Sequence, residues 1–534
     1  MMREYSIDYI TSKATRECIL FPTYAKRNPK NKDEWIVKAK GWALSHNCSY
    51  AKQKVMMGIT KSVAGKITAD QLSLQAFEQR FKYFLATNQR HKKFIIQAIG
   101  IISNLHDEER LIFDQNYLTP SLIHPTSKQD DDIMSRPSNP ISSILDQLEE
   151  RKNMDIFNDH QSIQLKTTSS GFFLGEFSLS HAHILNWAQA YNQCDARLIR
   201  IQSMSIDSKK KCTTTHGVAN LVEPLGISII SDIDDTIKDT KILAGARTVL
   251  SKTFFEPPQG VHGMADAYMS WYTQGASFHY VSNSPFQLIP MLYQFIRDSH
   301  FPPGSMHLRD EASLLSRLVE IPGQAKREAI LEIIHDFPQR QFVLVGDSGE
   351  IDLEIYTRIA VEFPNRILKI FIRDVTTPLA QEKKKKQQRP SQLSSIFYSK
   401  RSSQSFFSSS NRAMTDDVLF VRQHRSTPAT INTRGSNSPA KARPFGMRRA
   451  MTDAFAHYTM EPHLTGHKSQ NVQDDASTTE ACTRLYERIE KARQQIPNID
   501  VILFQDANVL RNDEDIQNAL WGIWDNARHN PSNQ

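Results

Sequence analysis

Cysteine is scarce in this chain and is not arranged in pairs. Five cysteines occur among 534 residues, an odd number without any CxxC spacing: Cys18, Cys48, Cys194, Cys212 and Cys482. This pattern argues against both a disulfide framework and a zinc site. We therefore expect a protein of the reducing cytoplasmic compartment.

Long hydrophobic runs are also missing. The most apolar stretch, "FIIQAIGII" at 94–102, is far shorter than the roughly 20 residues that a membrane-spanning helix needs. The first ten residues, "MMREYSIDYI", lack the apolar core of a signal peptide. We expect no transmembrane segment, and a protein that is soluble or peripheral to a membrane.

The charge balance is mildly basic. Lysine and arginine number 65 against 58 aspartate and glutamate residues, which gives a formal net charge of +7. Such a balance favours acidic partners of three kinds: phosphorylated ligands, anionic membrane surfaces or nucleic acid. The length is sufficient for two or three domains with cores of their own.

Changes in sequence pattern divide the chain into four segments. Strand-like runs such as "EWIVKAKGWALS" dominate the first, and the helical spacing of "LSLQAFEQRFKYFLA" interrupts them. A long segment rich in Ser, Arg, Lys and Pro lacks apolar periodicity and predicts disorder. The predicted segments are a β-rich accessory domain with a helical insertion (1–225), a catalytic domain (226–378), a disordered insert (379–478) and a helix-strand-helix segment that completes the catalytic domain (479–534).

Short apolar strands alternate with amphipathic helices in the second segment. The strands are "GISIIS", "FHYVS", "FVLVG" and "ILKIFI". This alternation predicts an α/β fold, a parallel sheet covered by helices on both faces. Functional side chains are then expected at the carboxyl ends of the strands.

The stretch "SDIDDTIKDT" places three carboxylates, Asp232, Asp234 and Asp235, directly after the first of these strands. Like charges so close together raise one another's pKa unless a cation compensates them. A metal site is therefore the first hypothesis. Taken alone, the same letters also fit a solvated acidic turn.

Three further stretches carry groups that suit phosphoryl transfer: "VSNSP", "GQAKREAI" and "GDSGEID". We expect Asp232 to attack phosphorus and Asp234 to move the protons. Asp347, Asp232 and the main-chain carbonyl of Asp234 would form an oxygen site for Mg²⁺. Ser282 would bind a phosphoryl oxygen, and Lys326 would balance the charge of the transition state. Individually, each stretch has an ordinary structural explanation, and only their combination indicates catalysis.

These motifs resemble those of the haloacid dehalogenase superfamily, whose first motif is DxDxT. More specifically, "ISDIDDTIKDTKI", "HYVSNSPFQL", "KREAI" and "FVLVGDSGEIDLEIY" resemble the fungal actin-patch-associated phosphatidate phosphatases. We assign the site residues accordingly: catalytic Asp232, Asp234, Thr236, Ser282 and Lys326; metal-binding Asp232, Asp234, Asp347 and Asp352; phosphate-binding Ser282, Asn283 and Lys326. Asp352 is expected to orient Lys326 or a metal-bound water.

The resemblance implies a Mg²⁺-dependent reaction that converts phosphatidate and water to diacylglycerol and phosphate. It also implies a peripheral location at cortical actin patches, with endocytic proteins as partners. With this resemblance we expect phosphatidate in anionic membranes as a partner and no nucleic acid. Two alternatives remain open: a phosphoprotein phosphatase of the same superfamily, and an endocytic scaffold that acts mainly by binding. Phe254 and Phe255 could belong to a flap that touches lipid, or they could pack in the core.

Overall fold

The computed structural model describes residues 15–46, 71–102, 161–193, 196–206, 212–309, 323–388 and 473–529. These residues form two sheets and the helices that pack on them. Within the same ranges, none of the helices has both the length and the apolar character required to cross a bilayer.

The first sheet contains nine strands from the N-terminal part of the chain. They are β1 (Thr15–Leu20), β2 (Thr23–Asn28), β3 (Asn31–His46), β4 (Thr87–Asn88), β5 (Lys93–Ile101), β6 (Ser162–Lys166), β7 (Phe172–Ser180), β8 (Leu198–Ser205) and β9 (Thr215–Val222). The order is β1-β3-β2-β9-β8-β5-β6, with β4 and β7 also paired to β3. All pairs are antiparallel except β2 with β9.

Two helices accompany this sheet, α1 (Gln71–Phe81) and α2 (His181–Ala190). Helix α1 lies where the spacing of "LSLQAFEQRFKYFLA" predicts a helix. Phe77 and Phe81 are buried as expected, whereas Leu72 is 72% exposed and does not belong to the buried stripe.

The second sheet contains six parallel strands. They are β10 (Ile227–Ser231), β11 (Ser277–Pro285), β12 (Gly304–Arg309), β13 (Gln341–Asp347), β14 (Ile367–Arg373) and β15 (Asp500–Phe504). Their order is β12-β11-β10-β13-β14-β15. The strand β12, "GSMHLR", was not expected from the sequence.

Helices cover both faces of the parallel sheet, which confirms the predicted α/β class. They are α3 (Ala246–Phe254), α4 (Met264–Thr273), α5 (Ile289–Asp298), α6 (Gln324–Asp336), α7 (Asp352–Glu362), α8 (Thr376–Gln388), α9 (Gln473–Gln495), α10 (Asn508–Arg511) and α11 (Glu514–His529). Along β13, Val343 and Val345 pack in one core with α4 and α5, and Phe342 and Leu344 pack in another with α6 and α7. The alternation follows from the two-residue repeat of a strand.

The ends of the segment predicted to be disordered, 379–478, lie in helices. Helix α8 continues to Gln388, and α9 begins at Gln473. The two helices pack against each other, and Ala380 of α8 is buried. Residues 389–472 lie outside the described ranges.

Phe254 and Phe255 lie in the core, so the hypothesis that they form a lipid-contacting flap is wrong. They are 0% and 2% exposed, and Phe77 of α1 stacks on Phe255 with ring centroids 4.8 Å apart. Phe81 meets Phe254 edge to face at 5.5 Å. These aromatic contacts join α1 to α3 of the catalytic segment.

Candidate active site

The sheet order reverses at β10, where the chain crosses to β11 on one side and β13 on the other. In open parallel sheets, ligands bind outside the carboxyl ends of the strands at such a switch point. Asp232 directly follows β10, and its amide donates to the Val345 carbonyl at 2.9 Å. Asp347 is the last residue of β13. The sheet therefore places both predicted carboxylates at the carboxyl ends of two neighbouring strands, β10 and β13.

Lys326 reaches these strand ends from the first turn of α6. Its Nζ donates to Asp232 Oδ1 at 2.7 Å and also contacts the carboxylate of Asp352, the first residue of α7. All three side chains are at most 1% exposed. A buried lysine is stable in charged form only with such partners. Burial alone would lower the pKa of Lys326, but Asp232 and Asp352 raise it well above its usual value.

Gly346 allows Asp352 to approach the end of β13. A Cβ at Gly346 would lie 2.4 Å from Asp352 Oδ2, closer than real Cβ contacts. Asp352 Oδ2 accepts a hydrogen bond from the Asp347 amide at 3.4 Å. Asp352 therefore contacts both Lys326 and the main chain of Asp347, an arrangement suited to orienting the lysine.

Glu350 joins the same cluster, although the sequence did not single it out. Oxygens of Asp232, Glu350 and Asp352 lie within 4.8 Å of one another, a grouping that could hold a metal ion. The Lys326 ammonium, however, already contacts these carboxylates, at 3.5 Å from Glu350 Oε2. One internal cation therefore already compensates part of their negative charge. Burial raises the pKa of Glu350 to about 7, against the lowering effect of Lys326.

Two other carboxylate oxygens fit a divalent cation better. Asp232 Oδ2 and Asp347 Oδ2 are buried, and neither has a hydrogen-bond partner among the described residues. Burial raises the pKa of both groups well above the usual range. The carboxylates of Asp352 and Glu350 raise both pKa values further, and Lys326 lowers that of Asp232. Buried unsatisfied oxygens of this kind indicate an ion or water that completes the site. Hard carboxylate oxygens are the ligands that Mg²⁺ prefers.

Asp347 is oriented through its other oxygen. Oδ1 accepts hydrogen bonds from the amides of Gly349 at 2.6 Å and Glu350 at 3.1 Å. This turn fixes the carboxylate and leaves Oδ2 available.

Asp234 is held by four donors. Thr240 Oγ1 donates to Oδ1 at 2.7 Å, and Lys238 Nζ lies 3.3 Å from the same oxygen. Ser284 and Ser282 donate to Oδ2 at 2.8 and 3.3 Å. The predicted proton shuttle thus lies among exchangeable hydroxyl and ammonium protons.

The third carboxylate, Asp235, has a structural role. It adopts a left-handed φ of +59° and accepts hydrogen bonds from three successive amides, Thr240 and Lys241 on Oδ1 and Ile242 on Oδ2. Thr236, predicted to be catalytic, is 0% exposed, and its Oγ1 has no partner within the described ranges.

Two of the predicted phosphate-binding residues, Ser282 and Asn283, lie near the end of β11, and the third, Lys326, lies on α6. Ser282 Oγ accepts from the Ser284 amide at 3.0 Å, and Asn283 Nδ2 donates to Glu350 Oε2 at 2.8 Å. Sequence reasoning missed Glu350, Lys238 and Ser284. The signals were present: Glu350 lies inside "GDSGEID", Lys238 is four residues after Asp234, and Ser284 alternates with Ser282 along the strand.

Comparisons with known proteins match the segment that contains this site. The family model described as "Phosphatidate phosphatase APP1, catalytic domain" matches residues 227–374. The chain is 42% identical over 161 residues to phosphatidate phosphatase APP1 of Saccharomyces cerevisiae, covering 29% of this chain and 27% of that protein. It is 38% identical over 187 residues to an uncharacterized protein of Schizosaccharomyces pombe, covering 34% and 31%.

The matches thus span less than a third of the length of these relatives. Among solved structures, a 2,6-sialyltransferase of Photobacterium covers 64% of this chain and 54% of its own at a TM-score of 0.19 and 9% identity, a likeness that carries no argument. The segment that contains Asp232, Ser282, Lys326, Asp347 and Asp352 is the one that the family model matches. Over residues 227–374, the chain is therefore similar to the catalytic domain of phosphatidate phosphatase APP1.

Proposed function

We propose that this protein is a Mg²⁺-dependent phosphatidate phosphatase with a haloacid-dehalogenase-like catalytic domain. The observation that carries the proposal is the buried Asp232, which contacts Lys326 through Oδ1 and keeps Oδ2 unpaired beside Asp347. The name of the Saccharomyces cerevisiae relative supplies the substrate. The strand order and the four motif positions support the superfamily assignment.

In the proposed reaction, an Asp232 oxygen attacks phosphorus and the bond to the glycerol oxygen breaks. Asp234 gives a proton to the departing diacylglycerol oxygen and later takes one from the water that hydrolyses the aspartyl-phosphate. Each turnover therefore starts from the Asp232 carboxylate and the Asp234 carboxylic acid, consumes one water and restores both forms. Mg²⁺, held by Asp232, Asp347 and the Asp234 carbonyl, would neutralise charge on the phosphoryl oxygens.

Lys326 and Ser282 would hold the phosphoryl group during both steps. The ammonium of Lys326 already contacts Asp232, the proposed nucleophile. It therefore lies beside the place where the phosphoryl group and its negative charge would be transferred. The side-chain amide of Asn283, which donates a hydrogen bond to Glu350 in this structure, would donate to a phosphoryl oxygen instead.

We also propose a peripheral location at anionic membranes, at cortical actin patches with endocytic proteins as partners. The resemblance of the sequence motifs supports this location, and the formal charge of +7 favours an anionic membrane.

One set of assays tests the proposal and its alternatives. Purified protein with Mg²⁺ is given phosphatidate vesicles, a phosphopeptide and an aryl phosphate, and released phosphate is measured beside the Asp232→Asn variant. We expect hydrolysis of phosphatidate and the aryl phosphate, abolished by Asp232→Asn. Preference for the phosphopeptide would establish the phosphoprotein phosphatase, and no turnover on any substrate would favour the scaffold.

A further inference from the structure

The helix that carries Lys326 is attached at its other end to the N-terminal sheet. Helix α6 runs from Gln324 to Asp336, so Lys326 lies in its first turn and Asp336 at its last residue. Lys26 Nζ of β2 donates to Asp336 Oδ1 at 2.5 Å, and Lys38 Nζ of β3 donates to Glu332 Oε1 at 2.6 Å. Lys38 also contacts the Asp336 carboxylate.

The contacts around Asp336 are largely buried, whereas the side chain of Glu332 is 49% exposed. The side chains of Lys38 and Asp336 are 10% and 14% exposed, and Lys26 is 20% exposed. Tyr24, fully buried, donates from its hydroxyl to Asp336 Oδ2 at 2.5 Å and accepts from Lys38 at 2.8 Å. Its ring lies 5.1 Å from that of Phe337, directly after the helix. Ion pairs with little solvent contact hold their partners in a defined geometry.

Two acidic residues, Glu332 and Asp336, lie in the last turn of α6, where negative charge is unfavourable. The carboxyl end of a helix carries partial negative charge, so Glu332 and Asp336 destabilise α6 unless cations compensate them. Among the described contacts of these two carboxylates, the cations are Lys26 and Lys38. The last turn of α6 therefore depends on charges from a different sheet.

We propose that Lys26 and Lys38 are positioning residues for the phosphatase reaction, and that the N-terminal sheet acts through α6 to set the position of Lys326. This inference rests on the proposed function. A rigid helix transmits a displacement of its last turn to its first, and misplacing a catalytic group by about 1 Å can reduce turnover on the order of a hundredfold. The N-terminal sheet is thereby a working part of the catalytic unit.

The test compares Lys38→Met with a matched control, Lys369→Met. Lys369 has a 6% exposed side chain and binds Asp513 and Asp515 at 2.9 and 2.6 Å, but these contacts join β14 to the chain around α11, away from α6. Both variants lose a buried ammonium and should lose similar thermal stability. Below their melting temperatures, only Lys38→Met should lose kcat for an aryl phosphate, by about tenfold or more.

A second measurement separates positioning from a general loss of stability. Orthovanadate, a mimic of the transferring phosphoryl group, is titrated with Mg²⁺ by calorimetry. Lys38→Met should weaken its binding in the wild-type background and have no additional effect when Lys326→Ala is present, because the two changes then act on the same contact. Lys38→Arg, which keeps the charge, should retain most of the wild-type kcat.

The outcomes are distinguishable. If the wild type hydrolyses the aryl phosphate and Lys38→Met matches Lys369→Met in kcat, the positioning role is overturned. If the wild type hydrolyses nothing, the proposed function fails and this inference fails with it. Should Lys38→Met not fold, Lys26→Met replaces it, since Asp336 then keeps Lys38 and Tyr24 as partners.

Discussion

Three carboxylates follow β10 within four residues, and the structure gives each a different set of contacts. Asp232 contacts Lys326, Asp234 accepts from hydroxyls and Lys238, and Asp235 accepts from main-chain amides. The sequence predicted the cluster and its place at a strand end. It could not separate the three roles, because the turn at φ +59° that directs Asp235 away from the others is not encoded in the spacing of the letters.

Replacement of Asp235 by alanine should destabilise the protein. Asp235→Ala leaves the amides of Thr240, Lys241 and Ile242 without their acceptor, and we expect the free energy of unfolding to fall by about 3 kcal/mol. Urea denaturation measures this, with Asp239→Ala as the control. Asp239 is a partly exposed partner of Lys252, and such pairs contribute only about 0 to 1 kcal/mol. Equal effects of the two substitutions would contradict the structural role.

Asp347 should be necessary for metal binding. Because Asp232 Oδ2 and Asp347 Oδ2 are buried without partners, Mg²⁺ should raise the melting temperature of the wild type. Asp347→Ala should lose most of this rise and the phosphatase activity, whereas Asp506→Ala, at an exposed carboxylate, should behave as the wild type. Thermal melts across a Mg²⁺ series measure the effect. A rise that is unchanged in Asp347→Ala would refute the assignment of this metal ligand.

At the scale of elements, apolar strands were predictable and a polar one was not. The runs that end in Asp232, Ser282 and Asp347 are β-branched and aromatic, so their pattern indicates buried strands. Strand β12 contains Ser305 and His307, which the pattern does not assign to a sheet. Ser305 Oγ bonds both His279 and His307, at 2.8 and 2.9 Å, so partners elsewhere in the fold permit burial of this polar strand.

Phe254 should matter for stability and not for lipid contact. Phe254→Ala removes a fully buried ring between α1 and α3 and should cost about 3 to 5 kcal/mol in the free energy of unfolding. Leu72→Ala, at the exposed start of α1, should change it by less than about 0.5 kcal/mol. Chemical denaturation measures both. Loss of vesicle binding by folded Phe254→Ala, with stability unchanged, would restore the flap hypothesis.

The last turn of α6 should make stability depend on pH. Burial alone would raise the pKa of Asp336, but hydrogen bonds from Lys26, Lys38 and Tyr24 outweigh it and hold that pKa below its usual value. A carboxylate with a lowered folded pKa contributes stability above its unfolded pKa of about 3.9, and this contribution is lost as the pH falls through the folded value.

The stability difference between the wild type and Asp336→Asn should therefore be largest above pH of about 4 and should shrink on further acidification. Urea denaturation at a series of pH values measures it. Asp33→Asn, at an exposed carboxylate of β3, serves as the control. A difference that grows toward low pH would have the wrong sign for the ion pairs described.

At the scale of the whole molecule, the sequence indicated two folded regions but not how they meet. Tyr24 and Asp336 are 312 residues apart in the chain and bond directly. The amide of Met306 in β12 donates to the Pro22 carbonyl at 3.0 Å. Local periodicity contains no information about such pairings, which depend on the complementarity of two finished surfaces.

Removal of residues 389–472 should leave catalysis intact. Their composition lacks apolar periodicity, so a flexible linker that joins α8 to α9 should preserve the melting temperature and the turnover of an aryl phosphate. Deletion of 379–478 should instead lower the melting temperature, because it removes buried Ala380 and parts of both helices. Equal melting temperatures for the two deletions would show that the ends of α8 and α9 contribute nothing.

The parallel sheet receives its last strand late in the chain. Ile370 of β14 pairs with Val501 of β15, which the ribosome makes only after all of the residues between them. During that interval the β14 edge, rich in isoleucine and phenylalanine, offers unpaired amides and carbonyls to any extended chain nearby. A polypeptide whose translation stops before Asp500 therefore contains every motif of the active site but has an unpaired sheet edge. We expect such a product to bind chaperones or to be degraded by proteases rather than to catalyse the reaction.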